Sequence, residues 1–251
     1  MRFLILTAVL CFLAGALFAQ VPTAPSNAKW FSNLDDASGW IACSACADWG
    51  VTSNYWYKQG VTSPSKDGKS MVMYIKGAYG VWADDLFIKA LGDQTWARHI
   101  EWGLDLLWDA PNNHTKQSNG KYVVQAIELD TRMIIGDWKY HFGIQCNYAT
   151  STWDIWDNVN KHWLHQYNLP CQKWGPNTWH NVQFYYTIDN TYHYLHYIGM
   201  KIDGTQYWIN KTVPAAWVSY SKQYLVQIEQ DTDLNGDPWF LFVDQVHTAV
   251  W

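Results

Sequence analysis

The stretch Arg98-His-Ile-Glu-Trp-Gly-Leu-Asp-Leu-Leu-Trp108 alternates between apolar and polar residues with a period of two. One side carries Ile100, Trp102, Leu104, Leu106 and Trp108, and the other side carries His99, Glu101 and Asp105. Successive side chains of a β-strand point to opposite faces of a sheet, whereas a helix repeats every 3.6 residues. The pattern therefore predicts a strand with one buried face and one hydrated face.

The same alternation recurs along most of the chain. The further strands that it predicts are residues 70–76, 81–91, 121–132, 137–146, 152–157, 179–188, 192–202, 206–210, 223–230 and 238–250. Turn-forming pairs such as Asp203-Gly204 and Asn235-Gly236 separate them. Residues 32–65 are less regular and are expected to wrap an edge. We therefore predict an all-β fold, a long antiparallel meander closed as a two-sheet β-sandwich of the jelly-roll kind.

The first nineteen residues have the pattern of a secretory signal peptide. Arg2 precedes an apolar run over residues 3–12, and small residues follow up to Ala19. The run is shorter than the ~20 apolar residues that a membrane span requires. We therefore predict a signal peptide at 1–19, a single β-sandwich domain at 20–251, and a secreted protein, extracellular or periplasmic, with no membrane insertion after cleavage.

The charge and the cysteines restrict the partners and the compartment. A net charge of −5 argues against nucleic acid as a partner, because nucleic-acid binding needs a basic surface. Outside the signal peptide the chain has four cysteines, and an even count in an exported protein indicates disulfides. The preferred pairing is Cys146 with Cys171 and Cys43 with Cys46. Cys43-Ser-Ala-Cys46 is also compatible with half of a zinc site or with a redox motif.

Tryptophan and tyrosine are unusually frequent, with 18 and 16 copies in 251 residues. Aliphatic residues fill a core without an N–H or O–H that needs a partner, so excess rings tend to lie at surfaces. There a flat apolar face can stack on a sugar ring, and we predict a polysaccharide or oligosaccharide as the partner. The alternative is that these rings pack the two sheets together, since aromatic residues favour strands in any case.

Residues 121–132 form the strand with the most unusual polar face. Glu128, Asp130 and Arg132 point one way, and like charges at this spacing raise the pKa of at least one carboxyl unless a cation compensates. The residues expected beside them on other strands are His141, Gln145, Glu101, Gln227 and Glu229. The rings expected to rim the site are Trp153, Trp156 and Trp163. The alternative is a hydrated strand face in which Arg132 forms a salt bridge.

Several motifs resemble those of the concanavalin A-like lectin/glucanase superfamily. They are Ala126-Ile-Glu-Leu-Asp130, Phe142-Gly-Ile-Gln-Cys146, Trp153-Asp-Ile-Trp-Asp-Asn-Val-Asn160 and the closing Val243-Asp244. The most similar group is a set of uncharacterised secreted bacterial proteins of that fold. The resemblance covers the mature chain and implies a fold rather than an activity, because one fold carries many functions.

Glucanases of this superfamily carry Glu-x-Asp-x-Glu on one strand, and the resemblance implies Glu128 as the nucleophile and Asp130 as the residue that tunes it. The last position falls on Arg132 or Met133, so the acid/base must come from elsewhere. Glu229 is the first choice and Glu101 the reserve. We therefore rank binding without catalysis first, an endo-β-glucanase-like hydrolase second and a structural or adhesive role third. Lyase chemistry is disfavoured, because Tyr140-His-Phe-Gly143 matches only in part the Tyr-Phe-Lys-Ala-Gly strand of alginate-lyase-type jelly rolls.

A second motif, Asp231-Thr-Asp-Leu-Asn-Gly-Asp237, places oxygen ligands at alternate positions around a glycine turn. This spacing resembles a calcium loop and predicts structural calcium on Asp231, Asp233, Asn235 and Asp237. The position where a bidentate Glu would fall is Phe242, so an ordinary hairpin with an Asn-Gly turn is the alternative. No organic cofactor is predicted.

Overall fold

The computed structural model describes residues 21–46, 52–219 and 223–251. The predicted signal peptide, residues 1–19, lies outside the described residues. Within them there is no α-helix, and one-turn 3-10 helices cover Ser44–Cys46 and Pro111–Asn113. None of the described helices is long and apolar enough to cross a membrane.

Strands make up most of the described chain. In order they are β1 (Lys29–Phe31), β2 (Trp40–Cys43), β3 (Thr52–Val61), β4 (Ser70–Gly77), β5 (Ala83–Gly92), β6 (His99–Asp109), β7 (Val124–Ile135), β8 (Trp138–Phe142), β9 (Ile144–Asn147), β10 (Thr152–Asp157), β11 (His162–Pro170), β12 (His180–Asp189), β13 (Tyr194–Ile202), β14 (Thr205–Pro214), β15 (Ala216–Trp217), β16 (Tyr224–Thr232) and β17 (Trp239–Val250). Between β13 and β14, Asp203 and Gly204 have φ values of 48° and 79°. Two positive φ values are what a type I′ hairpin turn requires.

These strands form two antiparallel sheets. One sheet, which we call the cleft sheet because its outer face carries the cleft described below, has the order β11-β10-β9-β7-β16-β5-β2. In it β8 lies beside β7 and β15 beside β8. The back sheet has the order β14-β13-β12-β6-β17-β4-β3, with β1 beside β17. This arrangement confirms the predicted antiparallel two-sheet β-sandwich.

Two details of the sequence-based prediction are wrong, and a third is confirmed. The chain is not a simple meander, because β7 pairs with β16 and β6 pairs with β17, far apart in sequence. Residues 137–146 form two strands rather than one, divided at Gly143. Residues 32–65 contain β2 and β3, which end the main strand order of the cleft sheet and of the back sheet, so the expected edge position is confirmed. Alternation reports which face a residue occupies and does not report which strands are neighbours.

The core lies between the sheets and contains many of the aromatic rings. Trp102, Trp108, Trp153 and Trp239 are among its largest fully buried side chains. Sheet packing thus accounts for part of the tryptophan excess, while Trp82 and others remain exposed.

Both predicted disulfides are present, so Cys43 and Cys46 are bonded to each other and do not offer the thiolates that a zinc site needs. Cys43, at the end of β2, is bonded to Cys46 in the adjoining one-turn helix. Cys146 on β9 is bonded to Cys171, which directly follows β11.

Candidate active site

A cleft of about 560 Å³ lies on the outer face of the cleft sheet. Its floor comes from β5, β7 and β16, which lie side by side near the middle of that sheet. On β7, Ile127 and Leu129 are fully buried in the core, so the alternate residues Glu128 and Asp130 face outward into the cleft. The period of two read from the sequence therefore assigns this face correctly.

Carboxyl groups dominate the floor. We call Asp84, Glu128, Asp130, Glu229 and Asp231 the acid cluster. Glu128 and Glu229 are direct cross-strand partners on β7 and β16, and Asp84 and Asp231 are partners on β5 and β16. One carboxylate oxygen from each of Glu128, Asp130 and Glu229 lies within 4.8 Å of the others, and the same holds for Asp84, Glu229 and Asp231. The structure thus brings the predicted Glu128, Asp130 and Glu229 together.

The acid cluster favours bound protons. Burial raises the pKa of Glu128 well above its usual value, and the neighbouring carboxyls of Glu229, Asp231 and Asp130 raise it further. Burial and nearby carboxyls likewise raise the pKa of Glu229 and of Asp231. Carboxylate oxygens of Glu128 and Glu229 lie within 4.8 Å of each other, and two negative charges at that distance favour a bound proton. The two residues therefore titrate as a pair that retains a proton at higher pH than an isolated glutamate would.

Asp130 is held as a hydrogen-bond acceptor from three sides. The Nε2 atom of His141 lies 2.9 Å from Oδ2, and the backbone N–H of Ile144 donates to Oδ1 at 3.0 Å. Gln227 Nε2 donates to Oδ2 at 3.2 Å and lies 3.4 Å from Glu229 Oε2. This side chain therefore connects Asp130 to the glutamate pair, and the predicted His141 is a direct partner of Asp130.

A second buried carboxylate, Asp154 on β10, forms hydrogen bonds with side chains that line the cleft. Asp154 is fully buried and accepts hydrogen bonds from Gln145 and Asn147, at 3.1 and 2.9 Å. It also lies 2.8 Å from His165 Nδ1. Gln145, Asn147 and His165 all line the cleft, so Asp154 fixes the orientation of three cleft side chains. The prediction that Gln145 lies beside the site agrees with this position, whereas Asp154 was overlooked.

One side of the cleft is an aromatic wall formed by Trp156 and Trp163. Their ring centroids are 5.2 Å apart in an edge-to-face arrangement, and both rings line the cleft. Gly143 makes this packing possible, because a Cβ added there would lie 2.7 Å from Trp156 Cβ. Trp82, which is 46% exposed, lines the cleft from the segment before β5. It supplies a ring that the sequence-based prediction did not name.

Two of the predicted site residues lie elsewhere. Trp153 is fully buried in the core, where it contacts Trp174 and Phe184, so it does not rim the cleft. Its position follows from the strand alternation, since residues 153 and 156 fall on opposite faces of β10. Glu101 lies on β6 in the back sheet, where its Oε2 accepts the N–H of Ala24. It is therefore not available as an acid/base for Glu128.

The residues of the predicted calcium loop are divided between two places. Asp231 belongs to the acid cluster, whereas Asp233 lies in the turn, where its Oδ1 accepts the N–H of Asn235 at 3.0 Å. The nearby carboxyl of Asp237 contributes to a raised pKa of Asp233, after burial. Calcium at the loop stays a prediction, and carboxylate oxygens of Asp84, Glu229 and Asp231 lie within 4.8 Å of one another.

Several cleft residues were missed by sequence reasoning. Asp84, Lys139 and Lys161 line the cleft together with the predicted Arg132. Asp84 reaches it only because β5 pairs with β16, about 140 residues away in sequence. The alternating polar positions of 81–91 and 137–146 show that Asp84 and Lys139 face outward, but they do not show which strands lie beside them.

Comparison with known proteins gives likenesses of structure only. No protein-family model matches the chain, and no curated protein matches it in sequence. Among solved structures it is similar to carbohydrate-binding modules of the β-sandwich superfamily, with 11% identity over 88% of this chain and 60% of that chain and a TM-score of 0.44.

Two further likenesses are of the same order. An endo-β-1,4-glucuronan lyase from the fungus Trichoderma reesei has 10% identity over 85% of this chain and 95% of that chain, with a TM-score of 0.49. An endo-β-galactosidase from Clostridium perfringens that releases GlcNAcα1-4Gal has 11% identity over 93% of this chain and 65% of that chain, with a TM-score of 0.44. At these scores the likenesses carry no argument about activity, and function has to be argued from the cleft itself.

Proposed function

We propose that the chain is a glycoside hydrolase that binds a polysaccharide in the cleft and cleaves it with Glu128 and Glu229. The observation that carries this proposal is the facing glutamate pair at the floor of an aromatic-walled cleft. Oxygens of the two glutamates lie within 4.8 Å of each other, nearer to the separation of about 5–5.5 Å of a retaining pair than to the roughly 6.5–9.5 Å of an inverting pair. The predicted signal peptide and the two disulfides support an exported enzyme.

In the proposed reaction Glu128 is the nucleophile and Glu229 is the acid/base. Glu229 donates its proton to the glycosidic oxygen while the Glu128 carboxylate bonds to the anomeric carbon and the carbon–oxygen bond breaks. Glu229 then takes a proton from water, which attacks the same carbon and releases Glu128. Burial and neighbouring carboxyls, which raise the pKa of both glutamates, favour retention of the proton that the acid step requires.

Binding without catalysis is the second candidate. Glu128, Asp130 and Glu229 place carboxylate oxygens within 4.8 Å of one another, and a cluster of acceptors of this kind can hold sugar hydroxyls in place. The aromatic wall would then provide the stacking surface, and the glutamates would only orient the bound chain.

Release of reducing ends from a panel of β-linked polysaccharides separates the two candidates. Under the hydrolase proposal, Glu128→Gln and Glu229→Gln each abolish release while retaining binding measured by calorimetry. Glu101→Gln is the matched control, because it alters a buried glutamate on the outer face of the other sheet. Binding by the wild-type protein without any release would overturn hydrolysis and favour the second candidate. An absence of binding to every glycan would overturn both.

A further inference from the structure

The charged residues that line the cleft are sorted along the strand direction. Asp231 and Asp84 lie at one end, and Glu128 and Asp130 lie in the middle. We call Arg132, Lys139 and Lys161 the basic end. Arg132 follows Glu128 by four residues on β7, a distance of about 13 Å between Cα atoms.

The strand pairing brings the three basic residues to the same end. Lys139 on β8 is the cross-strand partner of Ile134, near the end of β7. Lys161 lies in the turn between β10 and β11, where its N–H donates to Asp157 O. In the same turn, Asn158 Nδ2 donates to the backbone oxygen of His141, which is the cross-strand partner of Arg132. All three residues line the cleft.

A neutral glycan does not account for this sorting of charge. Guanidinium and ammonium groups attract anions, and Arg pairs with carboxylate or sulfate-like oxygens in a planar, two-pronged geometry.

We propose that the basic end binds an anionic substituent of the glycan, either a uronate carboxylate or a sulfate ester, so that the substrate is an acidic polysaccharide. This inference rests on the proposed function, since it names the substrate class for the same cleft. The distance of about 13 Å between Arg132 and Glu128 exceeds the length of one sugar ring. The anion therefore belongs to a sugar residue beside the one over the glutamate pair.

Matched glycans test the inference and distinguish the two sources of anion. Binding is measured for polygalacturonate against its methyl ester, for a sulfated galactan against its desulfated form, and for a neutral β-glucan. We expect one anionic form to bind more tightly than its neutral counterpart, and the preference to weaken as salt is added, because exposed charges are screened. The pair that shows the preference identifies the substituent as carboxylate or sulfate.

Two variants locate the preference. Lys161 is exposed, and Lys161→Gln, alone or combined with Lys139→Gln, should weaken binding of the anionic glycan by about five- to tenfold at low salt. The same changes should leave the neutral glycan unaffected, and Lys58→Gln on the back sheet is the control. Equal affinity for anionic and neutral forms, or full affinity in the Lys161→Gln protein, would overturn the inference. Hydrolysis of a neutral β-glucan, with neither binding nor hydrolysis of any anionic glycan, would overturn it while leaving the proposed function intact.

Discussion

The Nε2 atom of His141 lies 2.9 Å from Oδ2 of Asp130, across the pairing of β7 and β8. In the tautomer that carries its hydrogen on Nε2, His141 donates this hydrogen bond to the Asp130 oxygen. With the Ile144 N–H on the other oxygen, His141 fixes the rotation of the Asp130 side chain beside the glutamate pair. We therefore assign His141 as a positioning residue for Asp130.

The first prediction concerns this contact. His141→Ala removes the donor and should lower kcat by about ten- to a hundredfold, the scale expected when a group in the site is misplaced. His141→Gln keeps an N–H donor and should recover much of the loss, with KM changing less than kcat in both variants. Steady-state kinetics on a cleaved polysaccharide measure both constants. If the two variants were equally impaired, positioning through the hydrogen bond would be wrong.

The second prediction concerns the aromatic wall. Trp163→Ala should weaken glycan binding by about 1–2 kcal/mol, the scale of a lost aromatic contact, and should reduce the quenching of tryptophan fluorescence on binding. Trp56→Ala is the control, because Trp56 is 40% exposed but stacks on Tyr74 in the back sheet. The same loss of affinity in both variants would show that the wall is not the binding surface.

The third prediction concerns a buried acid outside the cleft. Asp85 on β5 and Gln230 on β16 face each other, both fully buried. Neither side chain has a hydrogen-bond partner among the described residues. Burial and then the Asp84 carboxyl raise the pKa of Asp85 from 3.8 to about 8. Between about pH 4 and pH 8 the folded state therefore keeps a proton that the unfolded state has already released. The free energy of unfolding falls as the pH rises through that window.

Asp85→Asn removes this titration. At pH 8 the free energy of unfolding of the variant, measured with urea, should exceed that of the wild type by about 1–3 kcal/mol, since a buried charge no longer forms. Its stability should also fall less between pH 5 and pH 8. Asp137→Asn, at an exposed position, is the control. A variant with the same pH slope as the wild type would contradict the assignment of the slope to Asp85.

The fourth prediction concerns calcium. If Asp231, Asp233, Asn235 and Asp237 bind it, millimolar calcium raises the melting temperature, because a ligand selective for the folded state stabilises that state. Asp233→Asn should remove the shift if the turn is the site, whereas Asp84→Asn should remove it if the acid cluster is the site. Identical melting curves in calcium and in chelator would rule out both.

The sequence predicts well which face of a strand each residue occupies, and it predicts poorly which strands lie side by side. Strand alternation is sufficient to place Glu128, Asp130 and Glu229 on outward faces, because a strand repeats every two residues. The same rule places Glu101 on an outward face, but of the other sheet, and nothing local to β6 reports that assignment. Asp84 joins the acid cluster through a pairing between distant segments, which local pattern does not encode.

The disulfide between Cys146 and Cys171 closes a ring of chain that contains all of β10 and β11. β11 ends the strand order of the cleft sheet, and strands at such ends are normally the first to fray. Here the hairpin that carries Trp156 and Trp163 is tethered to β9 beside the glutamates, so fraying leaves both rings close to the site. In a reducing medium that tether is lost, and amide exchange should accelerate in β10 and β11 before it does so in β7 and β16.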